Sequence, residues 1–325
     1  MKFKVVIPAA GEGRRLKPHT QTTPKILLQV AGKPIIGHIM DRLLPSGPEE
    51  VCVVVGAQGD QIRKYLESSY ECRFSFVTQE NPRGLGDAVQ RARPRFSGEP
   101  IMVLLGDTIV DLDMSAVVGP DNVIGVKEVP DPRRFGIVEL AGGRVSRLVE
   151  KPEQPKSNLA IVGVYFLQDS ARLFASIERL IRENQTTGGE YQLTDALQLL
   201  LDDGVVVKTM LIEHWLDCGT RDAMIETNRQ LLSRGGYFKP RPSTVVIPPA
   251  FIHDSARIEE SVIGPNVSIG ADAEIRGSVI RDSIINDRVV VEHSLLEGSI
   301  LGENSVVRDS PRRLNLGGFS ELEMG

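Results

Sequence analysis

Cysteine is scarce in this chain. Only Cys52, Cys72 and Cys218 occur among 325 residues. None has the C-x-x-C spacing of a zinc or redox site, and no His/Cys cluster suggests zinc, so they read as free thiols in a reducing compartment. A basic excess is also missing: 38 Lys and Arg against 43 Asp and Glu leave a net charge of −5. That balance argues against nucleic acid as a partner. No apolar run reaches the ~18 residues of a membrane helix, and no leader-like apolar stretch opens the chain. The expectation is a cytoplasmic protein with no membrane contact. What is present is a globular composition, 41% apolar and 25% charged, at a length that suits about two domains.

The first part of the chain, to about residue 235, alternates strand-like and helix-like segments. "KFKVVIP", "VCVVVGA", "RFSFVTQ" and "IMVLLGD" read as buried strands, with Cys52 and Cys72 in such runs. Between the first two, "KPIIGHIMDRLL" carries an apolar stripe, and Pro34 suits the first helical position. "DQIRKYLES" and "GDAVQRARPR" read as shorter helices. Alternation of this kind predicts right-handed crossovers and a mostly parallel sheet, with ligands beyond the carboxyl ends of its strands. Further on, Gly142 and Gly143 suit a hairpin turn between two strands. Two helices follow, one capped by Asp169 or Ser170 and one starting at Thr194.

"GGYFKPRPSTVVIPP" (235–249) reads as a linker. Beyond it the apolar period changes. Ile247, Ile252, Ile258, Ile263, Ile269, Ile275, Ile280, Ile285, Val291, Leu296, Leu301 and Val307 recur at steps of five or six. Neither helix nor strand periodicity gives that spacing, whereas a hexapeptide parallel β-helix does. The expected architecture is a Rossmann-like α/β domain over 1–238, followed by a short left-handed parallel β-helix over 239–325.

Four places could carry chemistry. In "AAGEGRRL", Gly11 and Gly13 allow close backbone approach and unusual φ/ψ. Successive N–H groups there would make an anion cradle, with Arg14, Arg15 and Lys25 supplying charge. The same loop could be a surface turn with solvated arginines. It is neither a P-loop nor a dinucleotide fingerprint. Asp107 in "LLGDT" ends an apolar strand, which suits either a Mg²⁺ ligand or a turn. Asp217 in "HWLDCGT" is a second such aspartate. Mg²⁺ takes only one or two carboxylates and completes its shell with phosphate and water. In "LVEKP", Glu150 and Lys151 should point to opposite faces, Lys151 suiting a phosphate and Glu150 sugar hydroxyls. An exposed charge pair before a turn is the plainer alternative.

"AAGEGRRLKPHTQTTPKILLQVAGKPII" resembles the signature of the sugar-1-phosphate nucleotidylyltransferases, through Gly11, Gly13, Arg15, Leu16, Pro18, Thr20, Pro24 and Lys25. "LLGDT", "EKP", "GVYF", "GGEYQLTDAL" and "WLDCGT" follow in the family's order. The resemblance is greatest to the thymidylyltransferases of long form, whose tail is similar to "LNLGGFSELEMG" with Gly-Gly-Phe as a departure. It implies that Ala10, Gly11, Gly13 and Arg15 hold a nucleoside triphosphate, dTTP or UTP, with Lys25 near the reacting phosphates. Gln79 and Gly84 would read the pyrimidine. Gly136, Glu150, Lys151 and Gly163 would hold a hexose 1-phosphate, and Glu190 and Thr194 would shape the sugar pocket. Tyr165 would be core. Asp107 and Asp217 would bind the cofactor Mg²⁺, with Arg15, Lys25 and Asp107 as the catalytic set. Two departures, "PAAG" and Arg14, leave the nucleotide open between thymidine and uridine.

The implied reaction gives a nucleoside diphosphate glucose and pyrophosphate. A regulatory subunit that has lost catalysis would lack one of Arg15, Lys25, Asp107 or Asp217, and all four are present. An acyltransferase built on the β-helix would have only His253 and His293 there to use. The repeat suits subunit packing better, which predicts a homo-oligomer.

Overall fold

The computed structural model describes residues 1–309 and 315–323. Leu314, Met324 and Gly325 of the tail lie outside the described residues. Contacts divide the chain into two compact units, residues 1–11 with 39–215 and residues 12–38 with 216–325. Residues 12–38 thus group with the C-terminal coils, although the sequence places them in the first domain.

The first unit is built on a nine-stranded sheet. Its strands are β1 (Lys4–Ala9), β2 (Glu50–Val55), β3 (Phe74–Thr78), β4 (Ile101–Leu104), β5 (Asn122–Glu128), β6 (Gly136–Ala141), β7 (Arg144–Glu150), β8 (Leu159–Leu167) and β9 (Val207–Leu211). The order is β7-β6-β8-β4-β1-β2-β3, with β5 also on β8 and β9 on β5. β1 lies parallel to both β2 and β4, and β2 parallel to β3. The chain therefore winds outward from β1 in one direction, then returns to place β4 on its other side. That reversal is a topological switch point, and ligands of open α/β sheets bind beyond it. β8 runs antiparallel to β4 and turns the second half of the sheet into a mixed one.

The helices are α1 (Ile35–Leu43), α2 (Gly59–Ser69), α3 (Leu85–Arg91), α4 (Ser170–Arg182), α5 (Leu193–Asp202) and α6 (Arg221–Gly235). α1 begins one residue later than expected, because Pro34 pairs with Gln29 in a two-residue bridge instead. Asp169 caps α4 by accepting the N–H of Arg172. α5 starts at Leu193 with Gln192 at its cap, so Thr194 is inside the first turn rather than at the start. The Gly142–Gly143 turn joins antiparallel β6 and β7 as expected, both glycines at positive φ. Cys72 is not on a strand: it sits in the bend before β3.

In the second unit the coils from Thr244 onward form three parallel sheets of four, five and five short strands. This is a β-helix, and its interior is the apolar ladder read from the sequence. Ile252, Ile258, Ile263, Ile269, Ile275, Ile280, Ile285, Val291, Leu296, Leu301 and Val307 are all at most 5% exposed. Burying each contributes roughly 1.5–3 kcal/mol before the entropy of ordering is subtracted. Ile247 is the exception at 38% exposed. Strand Thr244–Val246 pairs with Ser261–Ile263, so Val246 faces the ladder beside Ile263 and Ile247 falls past the strand's end. The linker read over 235–249 therefore already contains the first β-helix strand. Buried serines serve the corners, Ser261 Oγ accepting from Ser278 N and Ser278 Oγ from Ser294 N, each at 3.1 Å.

Candidate active site

Ala10, Gln79 and Asp107 follow the carboxyl ends of β1, β3 and β4, on the ligand-binding edge of the first unit's sheet. Gly163 lies where the pairing of β8 with β5 shifts register. Its φ is +84° and an added Cβ would come within 2.6 Å of the Leu105 side chain. Its carbonyl accepts from Leu105 N at 2.9 Å, so this glycine supports the turn that carries Asp107.

Gly136, Glu150 and Thr194 converge from β6, β7 and α5. Thr194 Oγ1 donates to Glu150 Oε2 at 2.7 Å. A Cβ on Gly136 would stand 2.9 Å from each of those two oxygens, so the glycine leaves room for them. Lys151 departs from the expectation of opposite faces. β7 ends at Glu150, Lys151 takes φ +42°, and its ammonium returns to within 3.4 Å of Glu150 Oε1. The left-handed residue breaks the strand alternation and makes one ion pair of the two. The Glu150 side chain is 10% exposed and that of Lys151 56%. Tyr165 is buried, and burial together with the Glu150 charge pushes its phenol well above the ordinary value.

Gln79 lies on the next part of the same edge. Its Nε2 donates to Asp87 Oδ2 at 2.7 Å and points a longer 3.4 Å contact at Gly84 O. Gly84 has φ +116°, and a Cβ there would meet Tyr191 O at 2.6 Å. The 190–192 segment is stitched on by Tyr191 N to Arg83 O and Gly86 N to Tyr191 O, both 2.8 Å. Asp87 was not among the residues singled out from the sequence. Its signal was a lone carboxylate among Gly86, Ala88 and Val89, all buried with it in α3.

The second unit holds the signature loop. Gly13 is left-handed at φ 61°, and a Cβ there would crowd Thr20 at 2.8 Å and Lys25 at 3.2 Å. Thr20 Oγ1 donates back to Gly13 O at 3.0 Å. Gly11 differs from the expectation: its φ is not positive, and among the described residues nothing lies within 4 Å of an added Cβ. Arg14 turns to Glu12, its Nε 2.7 Å from Oε2. Arg15 and Asp217 meet at Gly219, where an added Cβ would be 3.3 Å from Arg15 Nη2 and 2.9 Å from Asp217 Oδ1. Gly219 N also donates to Asp217 Oδ1 at 2.8 Å.

This loop is anchored on the coils. Buried Asn228 of α6 accepts from Ala31 N and from Ser268 Oγ, both at 2.8 Å. Gln29 Nε2 donates to Asp287 Oδ2 at 3.2 Å. His19 Nε2 lies 2.7 Å from Asn315 Oδ1, so the neutral ring donates there. Burial pushes His19 below its ordinary pKa despite that bond.

For a metal, the candidates Asp107 and Asp217 each supply hard carboxylate oxygens, the donor type that suits Mg²⁺. Among the described residues no group of three or more His, Cys, Asp or Glu could hold a metal. No helix among the described residues is long and apolar enough to cross a membrane.

The first unit presents a switch-point edge and a carboxylate pocket, and the second a glycine-held loop that carries Arg15 and Lys25. The chain belongs to the nucleotidyl transferase family, whose model matches residues 4–234. Within it, the resemblance is to the sugar-1-phosphate nucleotidyltransferases. The model of the GMPPB C-terminal domain matches 246–314. A glucose-1-phosphate thymidylyltransferase of Streptomyces antibioticus is 33% identical over 297 residues, 86% of this chain and 81% of that one. A low-salt glycan biosynthesis nucleotidyltransferase of Haloferax volcanii is 34% identical over 241 residues, 71% of this chain. That match spans 66% of the Haloferax protein, just under two thirds of its length. The crystal structure of a UDP-glucose pyrophosphorylase complexed with UDP-glucose superposes with a TM-score of 0.63 at 26% identity. It covers 72% of this chain and all of that one.

Proposed function

We propose that the chain transfers a nucleotidyl group from dTTP to glucose 1-phosphate, giving dTDP-glucose and pyrophosphate. The observation that carries this reading is the occurrence in one chain of the family signature, Gly13 to Lys25, and the Gly136–Glu150–Thr194 cluster. The likeness to the Streptomyces thymidylyltransferase extends over both parts of the chain and favours dTTP. The likeness to a UDP-glucose pyrophosphorylase supports UTP as the second reading, with the same residues in the same roles.

A phosphate oxygen of the sugar attacks the α-phosphorus in line. The bond from that phosphorus to the bridging oxygen breaks, and pyrophosphate leaves with the electron pair. The attacking oxygen is already ionised near pH 7, so no strong general base is required. The barrier is repulsion between two anions plus charge growing on the leaving group. Positioning and electrostatic shielding are then the main sources of rate. Backbone N–H groups from Ala10 to Gly13 with Arg15 would hold the triphosphate, and Lys25 would shield the reacting phosphates. Glu150 would accept sugar hydroxyls, and Lys151 would meet the sugar's phosphate. Asp107 and Asp217 would hold Mg²⁺, which when bound supplies charge neutralisation and orientation of the phosphates.

The test is pyrophosphate release by the full-length chain with glucose 1-phosphate and Mg²⁺. A dTTP rate at least equal to that with UTP supports the first reading. A strong UTP preference moves the assignment to the second. No release with any nucleoside triphosphate and common hexose 1-phosphate overturns both.

A further inference from the structure

We propose that Asp87 selects the base by holding the Gln79 amide so that its acceptor oxygen faces the nucleotide. The inference rests on the reading of Gln79 as a base contact and names the atom that does the reading.

Asp87 is 1% exposed and its two oxygens are divided between different partners. Oδ1 accepts from Arg83 Nη2 at 2.6 Å and from Arg91 Nη2 at 3.3 Å. Oδ2 accepts from Gln79 Nε2 at 2.7 Å. Burial alone would push this carboxyl up, but the bonds from Gln79 and Arg83 and the charges of Arg91 and Arg83 outweigh it and hold the group ionised. An ionised carboxylate only accepts hydrogen bonds. The end of the Gln79 amide that faces Asp87 must therefore be the NH₂ end, and its second N–H is aimed at Gly84 O. Among the described residues Oε1 accepts no hydrogen bond. The free function of the amide is an acceptor.

Uracil and thymine carry a hydrogen on N3, a donor that pairs with Oε1. Cytosine has a bare lone pair at N3, which Oε1 repels. The two base types are close in size and differ at N3 and at the exocyclic group on C4, so the amide's orientation supplies the discrimination at N3. A site built to hydrogen-bond a substrate group rejects an analogue that lacks it far more strongly than a merely apolar pocket would.

Asp87→Asn tests this, because asparagine has one acceptor and one donor. The two guanidinium groups claim its oxygen, which leaves Nδ2 facing Gln79. Two NH₂ groups cannot pair, so the Gln79 amide turns over and presents Nε2 to the base. Cytosine N3 now matches and N3–H does not. Asp87 is a positioning residue here. If it served only to tie α3 to its neighbours, its loss would lower kcat/KM for every triphosphate alike.

The experiment measures kcat/KM for UTP, dTTP and CTP with glucose 1-phosphate and Mg²⁺. The full-length wild type, Asp87→Asn and the double variant Gln79→Glu/Asp87→Asn are compared, with thermal melts to show folding. Wild type should favour UTP or dTTP over CTP by about 100-fold or more. Asp87→Asn should cut that ratio at least about tenfold, with the CTP rate rising in absolute terms. In the double variant the carboxylate introduced by Gln79→Glu accepts from the amide introduced by Asp87→Asn. It again presents an oxygen to the base, so the preference for N3–H should return. The double variant retains the cluster's net charge and decides the matter if Asp87→Asn alone does not fold. An unchanged ratio in Asp87→Asn, or a double variant that favours CTP, overturns the inference while leaving nucleotidyl transfer intact. A wild type that prefers CTP also overturns it. A wild type that turns over no triphosphate overturns the proposed function and this inference together.

Discussion

Gly136→Ala should raise KM for the sugar phosphate with little effect on KM for the nucleotide. The added methyl would stand 2.9 Å from Glu150 Oε2 and from Thr194 Oγ1, and 3.1 Å from Ile161 Cδ1. Optimal separation of such atoms is about 3.5 Å or more, so both oxygens must move by roughly half an ångström. They are the two ends of one 2.7 Å hydrogen bond, and a wedge between them opens it. A hydrogen bond to a charged group contributes about 1.5–3 kcal/mol, which corresponds to a roughly 10- to 100-fold rise in KM if Glu150 holds the sugar. Overpacking should also destabilise the fold by about 1–3 kcal/mol. The assay is initial-rate kinetics with each substrate varied in turn, on protein whose thermal midpoint is measured in parallel. Thr194→Val is the companion, since it removes the donor without adding bulk at Gly136 and should reproduce part of the effect. A folded Gly136→Ala protein with KM for glucose 1-phosphate within twofold of wild type would refute the assignment of this cluster to the sugar.

Lys25→Ala should lower kcat by about 100-fold or more, the usual cost of losing one preorganised charge contact, and turnover within threefold of wild type removes Lys25 from the mechanism. Asp217→Asn should shift the Mg²⁺ titration of activity to much higher concentration; an unchanged titration contradicts a metal role. His19 has a folded pKa below the value near 6.5 of the unfolded chain, so the unfolded state takes up its proton first and stability falls as pH drops below about 6.5. The melting curves of wild type and His19→Gln should therefore diverge between pH 7.5 and 5, with wild type losing more; parallel curves count against this. Ile280→Ala should cost about 2–5 kcal/mol and Ile247→Ala about 0.5 or less, because Ile280 is fully buried in the ladder and Ile247 is 38% exposed. Equal losses would mean the ladder is drawn wrongly.

Much of this architecture was legible along the chain because its causes are local or periodic. Steps of five or six aliphatic residues have few physical solutions, and the buried ladder from Ile252 to Val307 follows them. The hairpin at Gly142 and the Asp169 cap are set by residues within a few positions of each other. The signature loop is likewise contiguous, and Gly13 meets the need for a left-handed residue that its spacing implied. Edges were less well read. Val246 and Ile247 are equally apolar neighbours, and only pairing with Ser261–Ile263 decides which one faces inward.

Composition and period by themselves determined the class of fold, the ladder and the cationic loop, since a chain's short-range sterics and hydrophobic spacing act wherever it folds. Tertiary structure alone decided which polar groups meet. Glu150 and Thr194 are 44 positions apart, His19 and Asn315 are 296 apart, and no pattern along the chain records either pairing. Gln79 and Asp87 are only eight positions apart, yet their 2.7 Å bond too depends on how the loop between β3 and α3 folds the helix back toward the strand end. Hydrogen bonds reach about 3 Å and depend on direction, so they are fixed by where the backbone has already been brought, not by what lies next in the sequence.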